Sequence, residues 1–132
     1  MNEPQMNADE RRLNEITEAV IGCAYRVANE LGVGYLEKVY ENALFVDVTQ
    51  SGLRAEQQRP IIVRYHGAVV GEYVADLLIE GLVIVEVKHI RALEDVHTAQ
   101  CLNYLKATGL KVCLLINFGK TKIEIKRLVH NL

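Results

Sequence analysis

No apolar run in this chain of 132 residues reaches membrane-spanning length, so an α-helical membrane span is not expected. The N-terminal stretch is mostly charged or amide, which argues against a secretory leader and makes the cytoplasm the default compartment. Cysteine is scarce and odd in number. Cys23, Cys101 and Cys113 lack metal-site spacing and read as reduced thiols in or near the core, which excludes a disulfide framework. A basic excess is also missing: 15 Lys and Arg against 17 Asp and Glu leave a formal net charge of −2. A protein that holds nucleic acid mainly by its charge is usually basic. Any such partner therefore calls for a local basic patch, or for bound divalent metal to neutralise charge. Half the residues are apolar and 24% are charged, the composition of one ordinary domain with a real core.

What is present is ordered patterning, without repeats or linkers. Residues 1–8 read as a loose terminus, with Asn7 and Glu10 spaced as a capping box; residues 9–132 read as a single domain. Leu13, Ile16, Val20, Cys23, Val27 and Leu31 recur at three- and four-residue steps and predict an amphipathic helix over 9–31. Gly32-Val33-Gly34 breaks it. A second helix is predicted over 36–50, ending at Ser51-Gly52. Strands follow over 58–65 and 68–79, turning at His66-Gly67. Glu80-Gly81 turns into a third strand that ends at Lys88. A helix over 95–108, closed by Gly109, precedes strands over 111–117 and 122–128. The order α-α-β-β-β-α-β-β predicts an α/β layered structure with a mixed sheet, and the helix between the third and fourth strands suits a crossover that makes those two parallel.

The third strand is chemically anomalous. Leu82, Val83, Ile84, Val85 and Val87 are aliphatic, as a buried strand prefers, yet Glu86 and Lys88 stand among them. Alternation puts Ile84, Glu86 and Lys88 on one face. An ionised carboxylate there is costly unless a cation or hydrogen bonds compensate it. A hairpin turning at Glu80-Gly81 sets Asp76 across from Glu86, near enough to share an ion. Oxygen ligands with room for water describe a Mg²⁺ or Mn²⁺ site that also accepts phosphate oxygens, with Lys88 beside it to orient water or stabilise negative charge. The plainer alternative is a Glu86–Lys88 pair on a solvated face. Two further pairs weigh against it. Glu37 and Tyr40 share a face of the second helix, and Gln100 and Tyr104 share a face of the later one.

Taken together, Gly34-Tyr35-Leu36-Glu37-Lys38-Val39-Tyr40, Ala75-Asp76, Glu86-Val87-Lys88, Gln100 with Tyr104, and Leu114-Leu115-Ile116-Asn117-Phe118-Gly119 carry a resemblance. From about Leu13 to Leu128 the chain resembles the small bacterial and archaeal GxxExxY proteins of the PD-(D/E)xK nuclease superfamily, with Ala75 standing where the superfamily's name has proline. The resemblance implies a restriction-endonuclease-like α-β-β-β-α-β core, with an extra N-terminal helix and an extra C-terminal strand. It implies Asp76 and Glu86, with the Val87 carbonyl, as ligands of Mg²⁺ or Mn²⁺, and Glu37 as a further ligand or a group that orients metal-bound water. Lys88 would position or activate water, and Gln100 and Tyr104 would hold the lysine, the carboxylates or a substrate phosphate. The implied activity is metal-dependent hydrolysis of nucleic acid, DNA before RNA.

Other polar residues have ordinary explanations. Tyr40 and Tyr104 can pack with bonded hydroxyls. His89 and His97 lack a second histidine at ligand spacing, His66 belongs to a turn and His130 to the tail. Glu94-Asp95 suits a helix start, and Gly32 and Gly34 break a helix rather than cradle phosphate. Arg54, Arg59, Arg64, Lys120, Lys122, Lys126 and Arg127 are scattered and read as solvated faces. Two rival functions remain at the level of sequence: a catalytically inactive binding or scaffold protein on the nuclease fold, as a homodimer, and a hydrolase of small phosphorylated molecules. The intact polar set favours the nuclease.

Overall fold

Burial follows the apolar steps of the first helix. In the computed structural model, which describes residues 7–132, α1 (Ala8–Leu31) turns Leu13, Ile16, Val20, Cys23 and Val27 inward, and all five are buried. The Asn7 side chain accepts the Glu10 amide at 2.8 Å and so caps the helix. The loose terminus expected over 1–8 is thereby corrected at its end, since Asn7 and Ala8 are cap and first turn. The rest of it, residues 1–6, lies outside the described residues. Gly32, at φ 69°, and Gly34, at φ 114°, carry the chain through the left-handed region between α1 and α2 (Glu37–Gln50).

Five strands form one sheet in sequence order: β1 (Ala55–Tyr65), β2 (Ala68–Ile79), β3 (Val83–Lys88), β4 (Val112–Asn117) and β5 (Glu124–Val129). All neighbours are antiparallel except β3 and β4, which are parallel and joined through α3 (Asp95–Thr108). The mixed sheet and the parallel pair are those expected from the element order. Strand ends differ. β1 starts at Ala55 rather than Gln58, because Ala55, Glu56 and Gln57 pair with Ile79, Leu78 and Leu77 of the buried end of β2, although their own pattern is polar. β5 starts at Glu124 rather than Lys122, the preceding residues being taken up by the turn from β4.

Two cores flank the sheet. α1 and α2 cover one face with Val83, Val85, Val87, Leu114 and Ile116 beneath them. On the other face α3 packs Cys101, Tyr104 and Leu105 against Ile84, Cys113 and Leu115. β3 and β4 are therefore covered on both sides and mostly apolar, as central strands of a covered sheet are. No helix among the described residues is long and apolar enough to cross a membrane. Cys23, Cys101 and Cys113 are free and buried.

Candidate functional site

The β2–β3 ladder pairs Ile79 with Val83, Leu78 with Ile84 and Leu77 with Val85, and then stops. One step further in the same register Asp76 faces Glu86, and there side chains take over from backbone. The Asp76 amide donates to Glu86 Oε1 at 3.1 Å, and the Val87 amide donates to Asp76 Oδ2 at 2.8 Å. Each carboxylate thus braces the other's strand. The β1–β2 ladder lapses at the same level: Gln57 pairs with Leu77 and Arg59 with Ala75, while Gln58 between them sits at φ 56°. Side-chain alternation resets across this break. Leu77 and Ile79 join the α1/α2 core, whereas Ala75, two residues earlier, joins the α3 core. Strict alternation would put all three on one face. Asp76, at this break, lies within reach of the charges of Glu41 and Glu37 on α2 and of Lys88 on β3.

Burial of two like charges is expensive, and both carboxyls respond. Glu86 is only 3% exposed. Burial first, and then the Asp76 charge, push its pKa well above the ordinary carboxylate range, against the pull of the Asp76 amide and of Lys88. Asp76 is raised in the same way by burial, held back by its bond from Val87, and raised again by the charges of Glu41 and Glu37. Lys88 favours the ionised form of both carboxylates through its charge. It closes no ion pair with either among the described residues.

The first turns of α2 supply the opposite wall. Glu37 Oε1 accepts the His89 amide at 3.1 Å, which ties the helix to the residue after Lys88. Sequence reasoning missed Glu41, which is 4% exposed. It accepts Lys38 Nζ at 2.8 Å, Gln57 Nε2 at 2.8 Å and Gln58 Nε2 at 3.0 Å. The available signal was its place one turn after Glu37, on the same helix face. Gln57 and Gln58 gave no signal, because their role depends on the break in β1. Tyr40 is a packing residue. Its ring stacks between His89 and Phe118, with centroids 5.5 and 5.0 Å away, and its hydroxyl donates to the Gly32 carbonyl and accepts the Tyr35 amide at 3.2 Å.

From the other layer, Tyr104 is buried near Glu86 and inclined against Tyr73 at 5.6 Å. Burial and then the Glu86 charge push its hydroxyl up to about 12. Gln100 lies one turn earlier, half-buried. Neither side chain hydrogen-bonds Lys88, Asp76 or Glu86. His97 is a capping residue: its Nδ1 accepts the Glu94 amide at 3.0 Å, while the Glu94 side chain caps in return. Several of the scattered basic residues are paired, Arg54 with Glu80, Arg59 with Glu56 and Lys120 with Glu124.

The donor set can be tested against the cation the strand pattern called for. Among the described residues no three His, Cys, Asp or Glu side chains gather into a ready-made metal cage, and Glu37 is engaged with the His89 amide instead. Two adjacent, desolvated carboxylates without a paired cation still fit a hard divalent ion. Mg²⁺ uses one or two carboxylates and fills its octahedron with water and substrate phosphate. The raised affinity of Asp76 and Glu86 for protons is affinity for positive charge, which an ion would satisfy. A family model described as the PD-(D/E)XK nuclease superfamily matches residues 14–128. No curated protein and no solved structure matches the chain. The matched span contains all five strands but for the last residue of β5, nearly all of both cores and every site residue just described, and its helix-flanked mixed sheet is the restriction-endonuclease-like architecture. This chain belongs to the PD-(D/E)XK nuclease superfamily.

Proposed function

We propose that the protein is a divalent-metal-dependent nuclease of the GxxExxY branch, hydrolysing phosphodiester bonds in nucleic acid, DNA before RNA. The observation that carries this reading is the cross-bracing of Asp76 and Glu86 at the point where β2 leaves β3, with Lys88 on the same strand. Asp76, Glu86 and the Val87 carbonyl would hold Mg²⁺ or Mn²⁺. When bound, such an ion lowers the pKa of a water and neutralises charge on phosphoryl oxygens. The chain's own groups do the rest. The ammonium of Lys88 orients the attacking water or stabilises charge on the phosphate. Glu37 lies on the α2 side, where its charge reaches Asp76, and is available to a metal-bound water once the His89 amide releases it. Tyr104 and Gln100 line the α3 side, toward a substrate phosphate. Three free buried thiols suit a cytoplasmic setting.

The test is a cleavage panel of single-stranded, duplex and branched DNA and RNA, with Mg²⁺, with Mn²⁺ and with chelator. Metal-dependent scission that disappears in Asp76→Ala, Glu86→Ala and Lys88→Ala, with melting curves preserved, is the expected result. Ion uptake without scission of any polynucleotide would instead leave a binding protein on a nuclease fold, and cleavage of nucleotides alone would leave a small-molecule hydrolase.

A further inference from the structure

The end of β3 has to be held in place, because Lys88 is its last residue and the chain then leaves the sheet for six residues before α3. Both backbone groups of Ile90, within that segment, bond to one side chain of the neighbouring strand. Asn117, fully buried at the end of β4, stands opposite Lys88 in the parallel register. Its Oδ1 accepts the amides of Ile90 at 3.0 Å and Gly119 at 2.9 Å. Its Nδ2 donates to the Ile90 carbonyl at 3.0 Å and to Glu124 Oε1 at 3.0 Å. The same Glu124 oxygen accepts the Leu93 amide at 3.2 Å, and the Phe118 amide donates to the Lys88 carbonyl at 2.8 Å. Gly119 completes the strap, since a Cβ there would overlap the Ile90 backbone.

All the hydrogen-bonding capacity of the Asn117 amide is used, on one residue of the site segment and on the two groups that flank it. A buried amide with two donors and two acceptors so matched is costly to bury and specific in what it fixes. We propose that Asn117 is a positioning residue: it fixes Ile90, and thereby sets where Lys88 presents its ammonium and where the His89 amide meets Glu37. The inference rests on the nuclease reading for its consequence in catalysis, but the strap itself can be read without turnover.

The experiment compares wild type, Asn117→Ala and Val20→Ala, the last a fully buried apolar α1 residue outside the strap that serves to match general loss of stability. Amide hydrogen exchange is followed through residues 88–93, alongside cleavage kinetics with Mn²⁺. In Asn117→Ala, exchange at His89, Ile90 and Leu93 is expected to rise on the order of tenfold over Val20→Ala, while the Phe118 amide stays protected by the backbone ladder. A misplacement of about 1 Å costs on the order of 100-fold in rate, so kcat is expected to fall by about that factor, with KM within a few-fold. Glu124→Gln keeps an Oε1 that accepts both the Asn117 side-chain amide and the Leu93 backbone amide, and it is expected to retain the wild-type rate. Glu124→Ala removes that shared acceptor and is expected to raise exchange at Leu93 and lower kcat. This half-buried position also covers the case of an Asn117→Ala variant that does not fold. Exchange in 88–93 no faster than in Val20→Ala, or a kcat equal to it, overturns the proposal. A wild type that cuts nothing while its segment is protected overturns the nuclease reading, and the exchange data then decide the strap alone.

Discussion

Glu86 is stabilised in its protonated form, and this has a consequence that a merely packed residue would not show. Its folded pKa lies above the ordinary 4.5, and that of Asp76 above 3.8, so the metal-free folded chain binds more protons than the unfolded one. The associated stability is fully present below the ordinary values and drains away as pH rises through the raised ones. Melting temperature in chelator is therefore expected to fall from about pH 5 to about pH 9. Glu86→Gln should flatten that slope, raise alkaline stability and abolish cleavage; a variant as pH-sensitive as wild type would show the carboxylate is not the source. Glu80 and Glu124 act in the opposite sense, Glu80 held below the usual carboxylate range chiefly by the Arg54 amide and Glu124 chiefly by the Asn117 side chain. Their contribution exists above the ordinary value and is lost as pH falls through the lowered one. Glu41→Ala would strip acceptors from Lys38, Gln57 and Gln58, and a loss of about 1–3 kcal/mol in denaturant unfolding is expected.

Elements meet at the site through aromatic stacking and hairpin geometry rather than through long stretches of ladder. The Tyr40 ring, between His89 and Phe118, couples α2 to the ends of β3 and β4, and its hydroxyl pins both ends of the Gly32–Tyr35 loop. Tyr40→Phe keeps the stack and drops the hydroxyl, so a loss of about 1 kcal/mol is expected, together with faster amide exchange at Tyr35. The β1–β2 hairpin was legible from His66-Gly67, which occupies φ 49° and 82° as a tight turn requires. The helix over 95–108 was legible too, with Gly109 closing it at φ 75°. Less legible was the first quarter of β1, where a polar sequence is drawn into the sheet by a buried partner strand.

At the scale of the molecule, the chain keeps a net charge of −2 and gathers further acidic groups, Glu37 and Glu41, around Asp76. Affinity for a polyanion should then depend on the cation. Mn²⁺ is expected to raise the melting temperature progressively with concentration, as a ligand bound only by the folded state does, and to do so neither in Asp76→Ala nor in Glu86→Ala. DNA retention measured by anisotropy should be strengthened by Ca²⁺ or Mn²⁺ and weak in chelator. Binding that is tight in chelator and indifferent to both carboxylates would place the contact surface elsewhere.

The order of elements, the covered central strands and the meeting of Asp76 with Glu86 were all determined by the sequence alone. Period and turn chemistry are local, and a hairpin's register follows from where it turns. Glu41, Gln58 and Asn117 were decided by tertiary structure. Glu41 matters because Gln57 and Gln58 come to it across a break in β1, and Asn117 because a parallel crossover sets it beside Lys88. A polar side chain declares its role only when its partners arrive, and here folding brings Gln57 and Gln58 to Glu41 and Ile90 to Asn117 from other elements of the chain.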